Sequence, residues 1–118
     1  MDRRYKILIV EDEVTLGMAM TIMLNKDYDI LTAESVKEAR LLFDSCPDLI
    51  LTDIRLPGVI GAEFINELNE TFIDKPIIAM SCLPEQDIID ELMQSGITAI
   101  IRKPFTKEEI LRLIRESL

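Results

Sequence analysis

The sequence predicts an α/β fold, a parallel sheet covered by helices on both faces. Three observations carry this expectation. Five short runs, four to six residues long and mostly apolar, alternate with five segments whose apolar residues recur at helical spacing. The connections between them are short, as strand–helix–strand units require. The first and third runs are continuous rather than alternating, which marks strands buried on both faces.

The first strand is Lys6-Ile7-Leu8-Ile9-Val10, rich in β-branched residues and ending in Glu11-Asp12-Glu13. Leu16, Ala19, Met20, Met23 and Leu24 then share one face of a helix. Asp29 to Ala33 gives the second strand. Ser35-Val36-Lys37-Glu38 carries a capping-box pattern, and Val36, Ala39, Leu42 and Phe43 continue it at helical spacing. Leu49-Ile50-Leu51 is the core of the third strand, which ends on Asp53 just before the Pro57-Gly58 turn. After Gly61, the residues Phe64, Ile65 and Leu68 define a third helix. Pro76 to Ser81 is the fourth strand, with proline tolerable at its first residue. Pro84 suits the first turn of the fourth helix, whose buried side is expected at Ile88, Ile89, Leu92 and Met93 and whose stop is Gly96. Ala99 to Arg102 is the fifth strand, leading to Lys103-Pro104-Phe105. Thr106-Lys107-Glu108-Glu109 is a second capping box, and Ile110, Leu113, Ile114 and Leu118 form the last apolar stripe, with Leu111 off it and exposed. No repeat or linker interrupts the pattern, so residues 5–118 read as one domain.

At 118 residues, 48% hydrophobic and 30% charged, the chain has ordinary globular composition. No apolar run approaches the roughly 20 residues of a membrane span, and the start lacks a signal-peptide core. The expected compartment is the cytoplasm, with no membrane partner. Cys46 and Cys82 have no metal-ligand spacing and read as reduced structural thiols. The absence of His removes His-based catalysis and most zinc sites, leaving oxygen ligands and therefore Mg²⁺, Mn²⁺ or Ca²⁺. A net charge of −9 speaks against direct nucleic-acid binding and for protein partners.

Candidate chemistry gathers at the carboxyl ends of the strands, the edge where open α/β sheets bind ligands. Glu11 and Asp12 follow the first strand, Asp53 ends the third, Ser81 the fourth, and Lys103 follows the fifth. Taken singly each has a plainer explanation: a dipole-complementing acid, a turn residue, a structural hydroxyl, a solvated lysine. Together they are more specific. Three crowded carboxylates repel unless a divalent cation or a lysine compensates. A lysine, a hydroxyl and a hard cation suit a phosphoryl group, and a carboxylate can itself be the nucleophile that forms an aspartyl phosphate.

With these residues in their order and spacing, the chain resembles the receiver domain of bacterial two-component response regulators from about Tyr5 to Leu118. The matching motifs are Ile7 to Glu13, Asp48 to Gly58, Pro76 to Ser81, and Lys103-Pro104-Phe105. The resemblance implies a flavodoxin-like (βα)5 three-layer sandwich with a five-stranded parallel sheet of order 2-1-3-4-5, two helices on one face and three on the other. It implies that Asp53 accepts a phosphoryl group from a sensor histidine kinase or a histidine phosphotransfer protein. Glu11, Asp12, Asp53 and the backbone carbonyl of Arg55 would bind Mg²⁺, Ser81 and Lys103 would hold the phosphoryl group, and the bond before Pro104 would be cis. Such a domain catalyses only its own phosphoryl transfer and dephosphorylation. It acts on an output domain or effector protein, or on a second copy of itself, through the fourth helix, fifth strand and last helix.

Four positions depart from the family pattern. Ser81 stands where Thr is commoner, and Cys82 where a smaller residue is usual. Ile60 replaces a frequent Asp. Ile100 stands where most receivers carry Tyr or Phe, so an aliphatic side chain must replace the aromatic switch, with Met80, Leu83 and Met93 as candidates to repack around it. This departure keeps open a phosphorelay intermediate, or a pseudo-receiver without conventional switching. A haloacid-dehalogenase-type phosphatase would want Asp two residues after its nucleophile, where Arg55 stands, and room for a cap domain. A flavodoxin-like cofactor binder would want a phosphate-cradling loop where Glu11-Asp12-Glu13 stands.

Overall fold

The computed structural model of the chain describes residues 4–59, 62–82 and 86–118, the side chains of residues 86–88 excepted. Five strands, β1 (Lys6–Val10), β2 (Asp29–Ala33), β3 (Leu49–Asp53), β4 (Ile77–Ser81) and β5 (Ala99–Arg102), form one parallel sheet in the order β2-β1-β3-β4-β5. Five helices connect and follow them: α1 (Val14–Leu24), α2 (Val36–Leu41), α3 (Glu63–Thr71), α4 (Gln86–Gln94) and α5 (Lys107–Ser117). This is the sheet order and the flavodoxin-like sandwich that the sequence resemblance implies.

The sheet divides two cores. On one face Leu8, Val10, Ile50, Ile77 and Ala79 pack with Ala39 of α2, Phe64, Ile65 and Leu68 of α3 and Leu92 of α4. On the other, Ile7, Ile9, Leu49, Leu51, Ile78 and Met80 pack with Met20 and Leu24 of α1 and Ile110, Leu111 and Ile114 of α5. The split follows from the period of two in a strand: neighbours along the chain enter opposite cores. Tyr28, in the turn between α1 and β2, is 7% exposed and joins the second core. Among the described residues no helix is long and apolar enough to cross a membrane.

Several local expectations need correction. The α2 helix ends at Leu41, and Phe43 belongs to a separate 3-10 turn, Phe43–Ser45. There its ring meets Phe72 edge-on with centroids 5.0 Å apart. Leu111 is buried at 8% exposure because α5 packs against α1 as well as the sheet, which widens its apolar face beyond one stripe. Leu118 lies past the end of α5 and is partly exposed. In α4 the core position is taken by Leu92, and Met93, about 100° further round the helix, is 54% exposed. Met80 lies in the opposite core from Ile100 and cannot repack beside it. Ile60, Gly61, Leu83, Pro84 and the Ile88 side chain lie outside the described residues.

The caps explain where helices start. Thr106 and Glu109 make a full capping box: the Glu109 amide donates to Thr106 Oγ1 at 3.1 Å and the Thr106 amide to Glu109 Oε1 at 3.3 Å. At α2 the Ser35 hydroxyl oxygen accepts from the Glu38 amide at 3.1 Å, while the hydroxyl itself donates to Glu38 Oε2 at 3.4 Å. The end of α1 is closed from a distance. Arg4 donates to the carbonyls of Asn25, Lys26 and Tyr28 and to Asp29 Oδ1, tying the helix end to β2.

Candidate functional site

The site is built at the carboxyl edge of the sheet, where β1, β3, β4 and β5 run out side by side. Parallel pairing sets the heights. Val10 is level with Thr52, and Asp53 with Met80, so Glu11, Asp53 and Ser81 leave the sheet within a residue of one another. The apolar residues of β1, β3 and β4 beneath are fully buried, which gives these polar groups a rigid platform.

Glu11, Asp12 and Asp53 each offer a carboxylate oxygen, and these oxygens lie within 4.8 Å of one another. Their environments differ. Glu11 is buried, Asp53 half-buried and Asp12 exposed. Lys103 reaches in from beyond β5, and its Nζ donates to Glu11 Oε1 and, at 3.0 Å, to Asp53 Oδ2. The remaining oxygens take backbone amides: Glu13 N–H donates to Glu11 Oε2 at 3.1 Å and Arg55 N–H to Asp53 Oδ1 at 2.9 Å. The loop after β3 is thereby drawn onto the Asp53 carboxylate, with Arg55 itself exposed.

Burial pushes the Glu11 carboxyl above its usual range, and the nearby Asp53 charge adds to the rise, against the pull of Lys103 and the Glu13 amide. Burial pulls the Lys103 ammonium down, but its hydrogen bonds to Glu11 and Asp53 and their charges outweigh that and hold it above its ordinary value. The lysine therefore stays charged and partly offsets the repulsion among the carboxylates.

Ser81 ends β4 and is buried, and its carbonyl accepts from the Lys103 amide at 2.7 Å, which fixes where the lysine leaves the sheet. The Lys103–Pro104 peptide bond is cis. Ile100 is half-buried in the core beneath α2, α3 and α4, level with Ala79 of β4. Cys46 and Cys82 are free and exposed, so neither packs in a core. The engagement of Glu11 by Lys103, and the part played by the Glu13 amide, have no sequence signal: the lysine is 92 positions from Glu11 and equally able, by spacing, to face any of the three acids.

The arrangement suits chemistry on a phosphoryl group, with a carboxylate fixed by two donors, a buried hydroxyl-bearing residue on the next strand, an ammonium, and an acidic cluster of hard oxygen donors. The response regulator receiver domain family matches residues 7–115. Among curated proteins, the hydrogenase transcriptional regulatory protein HoxA of Cupriavidus necator is similar at 31% identity over 99% of this chain and 25% of its own length. The phosphate regulon transcriptional regulatory protein PhoB of Pseudomonas aeruginosa is 34% identical over 95% of this chain and 51% of its own. The chain thus spans a quarter to about half the length of these two relatives. Among solved structures, the chemotaxis protein CheY4 of Vibrio cholerae shares the fold with a TM-score of 0.90, at 23% identity over 98% of this chain and 100% of that one.

Proposed function

Because the chain belongs to the response regulator receiver domain family, we propose that it is a phosphoacceptor signalling switch whose Asp53 takes a phosphoryl group from a phosphohistidine. The observation that carries this reading is the Asp53 carboxylate at the end of β3, bound by Lys103 Nζ at 3.0 Å with Glu11 and Asp12 beside it. Residues 5–118 are read as one receiver domain. Its partners are a sensor histidine kinase or a histidine phosphotransfer protein on one side and an output domain or effector on the other.

In the forward step an Asp53 oxygen attacks phosphorus and the phosphorus–nitrogen bond to the donor histidine breaks. The imidazole leaves with the bonding pair and takes a proton from water. In a separate hydrolytic step water attacks phosphorus and the phosphorus–oxygen bond to Asp53 breaks; the carboxylate is restored and inorganic phosphate departs with the water's oxygen, the water's protons passing to it and to solvent. Lys103 pairs with the phosphoryl oxygens, and the Ser81 hydroxyl donates to one of them. The donor set fits Mg²⁺, since its ligands are hard oxygens carrying concentrated negative charge. Glu11, Asp12, Asp53 and the Arg55 carbonyl would hold the ion, and when bound it would neutralise charge developing on the phosphoryl oxygens.

Incubation with acetyl phosphate and Mg²⁺ is expected to add one phosphoryl group, about 80 Da by mass spectrometry. Asp53→Asn should remove the adduct. Its persistence in that variant would overturn the assignment.

A further inference from the structure

Among the described helices, α1 alone has no charged residue. The whole chain is 30% charged, and each of the other four helices carries three charges or more. One side of α1 is spent on the core, through Met20 and Leu24. On another side Val14, Met18 and Ile22 recur every four residues and are 49%, 62% and 73% exposed, so three successive turns present an apolar row to water. A helix that is apolar all round is ordinarily covered all round. Beside the row, between α1 and β2, lies a cavity of about 90 Å³ whose helix side is Val14, Gly17, Met18 and Thr21. A Cβ on Gly17 would meet nothing within 4 Å, so the chain's own packing leaves the space over this glycine open. The patch thus carries projecting side chains and a recess next to each other.

A surface with its own projection and its own recess is what a two-fold axis matches to itself. We propose that α1 is a pairing face for a second copy of this chain. The two α1 helices lie antiparallel about an axis through Met18, with Val14 of one copy level with Ile22 of the other. Charge selects both the partner and the direction. The chain carries −9 overall, so net repulsion opposes association of two copies, and α1 is the helix on which they can meet without charge against charge. A parallel pair would bring the exposed acids Asp12 and Glu13 of both copies together. The antiparallel pair sets each acidic end beside the other copy's α1 C-terminus, where exposed Arg4 and Lys26 offset Asp27 and Asp29. It also opposes the two helix dipoles. A helix of 11 residues is about 16 Å long, so the contact is of the small, dissociable class, below about 1,200 Å² in total. This face is separate from the one formed by the fourth helix, fifth strand and last helix, and the pairing needs no phosphoryl group.

Sedimentation equilibrium of the full chain from about 10 μM to about 1 mM, without Mg²⁺ or a phosphoryl donor, should show the mean mass rising from one chain toward two. Met18 is exposed, so Met18→Glu should keep the fold by far-ultraviolet circular dichroism and still take the acetyl phosphate adduct. Its self-association should weaken about tenfold or more, because the two-fold counts the change twice. Direction is read by disulfide cross-linking under a mild oxidant, in chains that also carry Cys46→Ser and Cys82→Ser. Val14→Cys mixed with Ile22→Cys should cross-link. Val14→Cys by itself should not, since its two copies stand about 12 Å apart along the helix axis. Where Met18→Glu folds poorly, the cysteine pairs carry the test. A chain still monomeric at about 1 mM, a dimer untouched by Met18→Glu, or Val14→Cys linking to itself as readily as to Ile22→Cys overturns the proposal. So does a monomer whose Met18→Glu variant accepts phosphate from acetyl phosphate but no longer from a histidine phosphotransfer protein, which would give the face to the donor.

Discussion

Glu11 and Asp12 are adjacent in the chain and opposite in environment. Glu11 is buried with both oxygens engaged, by Lys103 and by the Glu13 amide, while Asp12 faces solvent. Asp12 can therefore turn to a cation without breaking a protein contact. Mg²⁺ is expected to raise the melting temperature by binding the folded state alone, and Asp12→Ala to abolish that rise. Melting with and without Mg²⁺ checks it, and an unchanged rise would mean the ion binds elsewhere. A second residue-scale expectation concerns Glu67 of α3, which receives Arg40 of α2 through two bonds of 2.7 and 2.8 Å. Those bonds hold the Glu67 carboxyl below its usual value, so the stabilisation is present above the unfolded carboxylate range and disappears as pH falls through the lower folded value. Because the pair is solvent-exposed, Glu67→Gln should lower the melting temperature at neutral pH by only about 1–2 °C, and the difference should close in acid. That Asp53, Ser81 and Lys103 sit at strand ends was legible, because an apolar run that stops at a polar residue marks the end of a strand. Which acid Lys103 would choose was not, since spacing encodes height along a strand and not the reach of a side chain.

Capping chemistry at the level of single elements was equally readable. Thr106 and Glu109 form the box that their spacing spells out, and Thr106→Ala should cost about 1 kcal/mol in urea denaturation, with the first turn of α5 fraying. The errors have a common cause. A periodic stripe assumes that a helix has one neighbour, and Leu111 is buried because α5 has two. Phe43 continues the α2 spacing by coincidence; its ring is claimed by Phe72, which nothing local to Phe43 announces. The end of α1 was invisible for the same reason, since its carbonyls are capped by Arg4, more than 20 positions earlier.

For the molecule as a whole, strand order came from resemblance rather than periodicity, because short runs reveal strands but not their neighbours. The sheet that results separates two cores and leaves Ile100 on the α4 side with Ala79 and Leu92, while Met80 lies on the other. On that face Ile100 packs in one core with Ala79, Leu92 and Phe64. Beryllofluoride is expected to shift amides around Asp53 and, through Ser81 and β5, as far as Lys107. Shifts confined to the neighbours of Asp53 would instead mark a domain that carries phosphate without switching, a relay carrier.

The burial of Tyr28 has an optical consequence. The chain has no Trp and two Tyr, so its near-ultraviolet signal comes from few chromophores. Burial pushes the Tyr28 phenol above its ordinary value, and the neighbouring Arg115 pulls it back only in part. A group raised in this way contributes stability that is complete below its unfolded value, near 10, and is lost as pH rises through the folded one. In an alkaline titration followed by phenolate absorbance, a late component should appear as the fold is lost, and Tyr28→Phe should delete it. Tyr28 sits between α1 and α5, so the protein carries a built-in chromophore on the side of the sheet away from Ile100, against which loosening of that face can be timed.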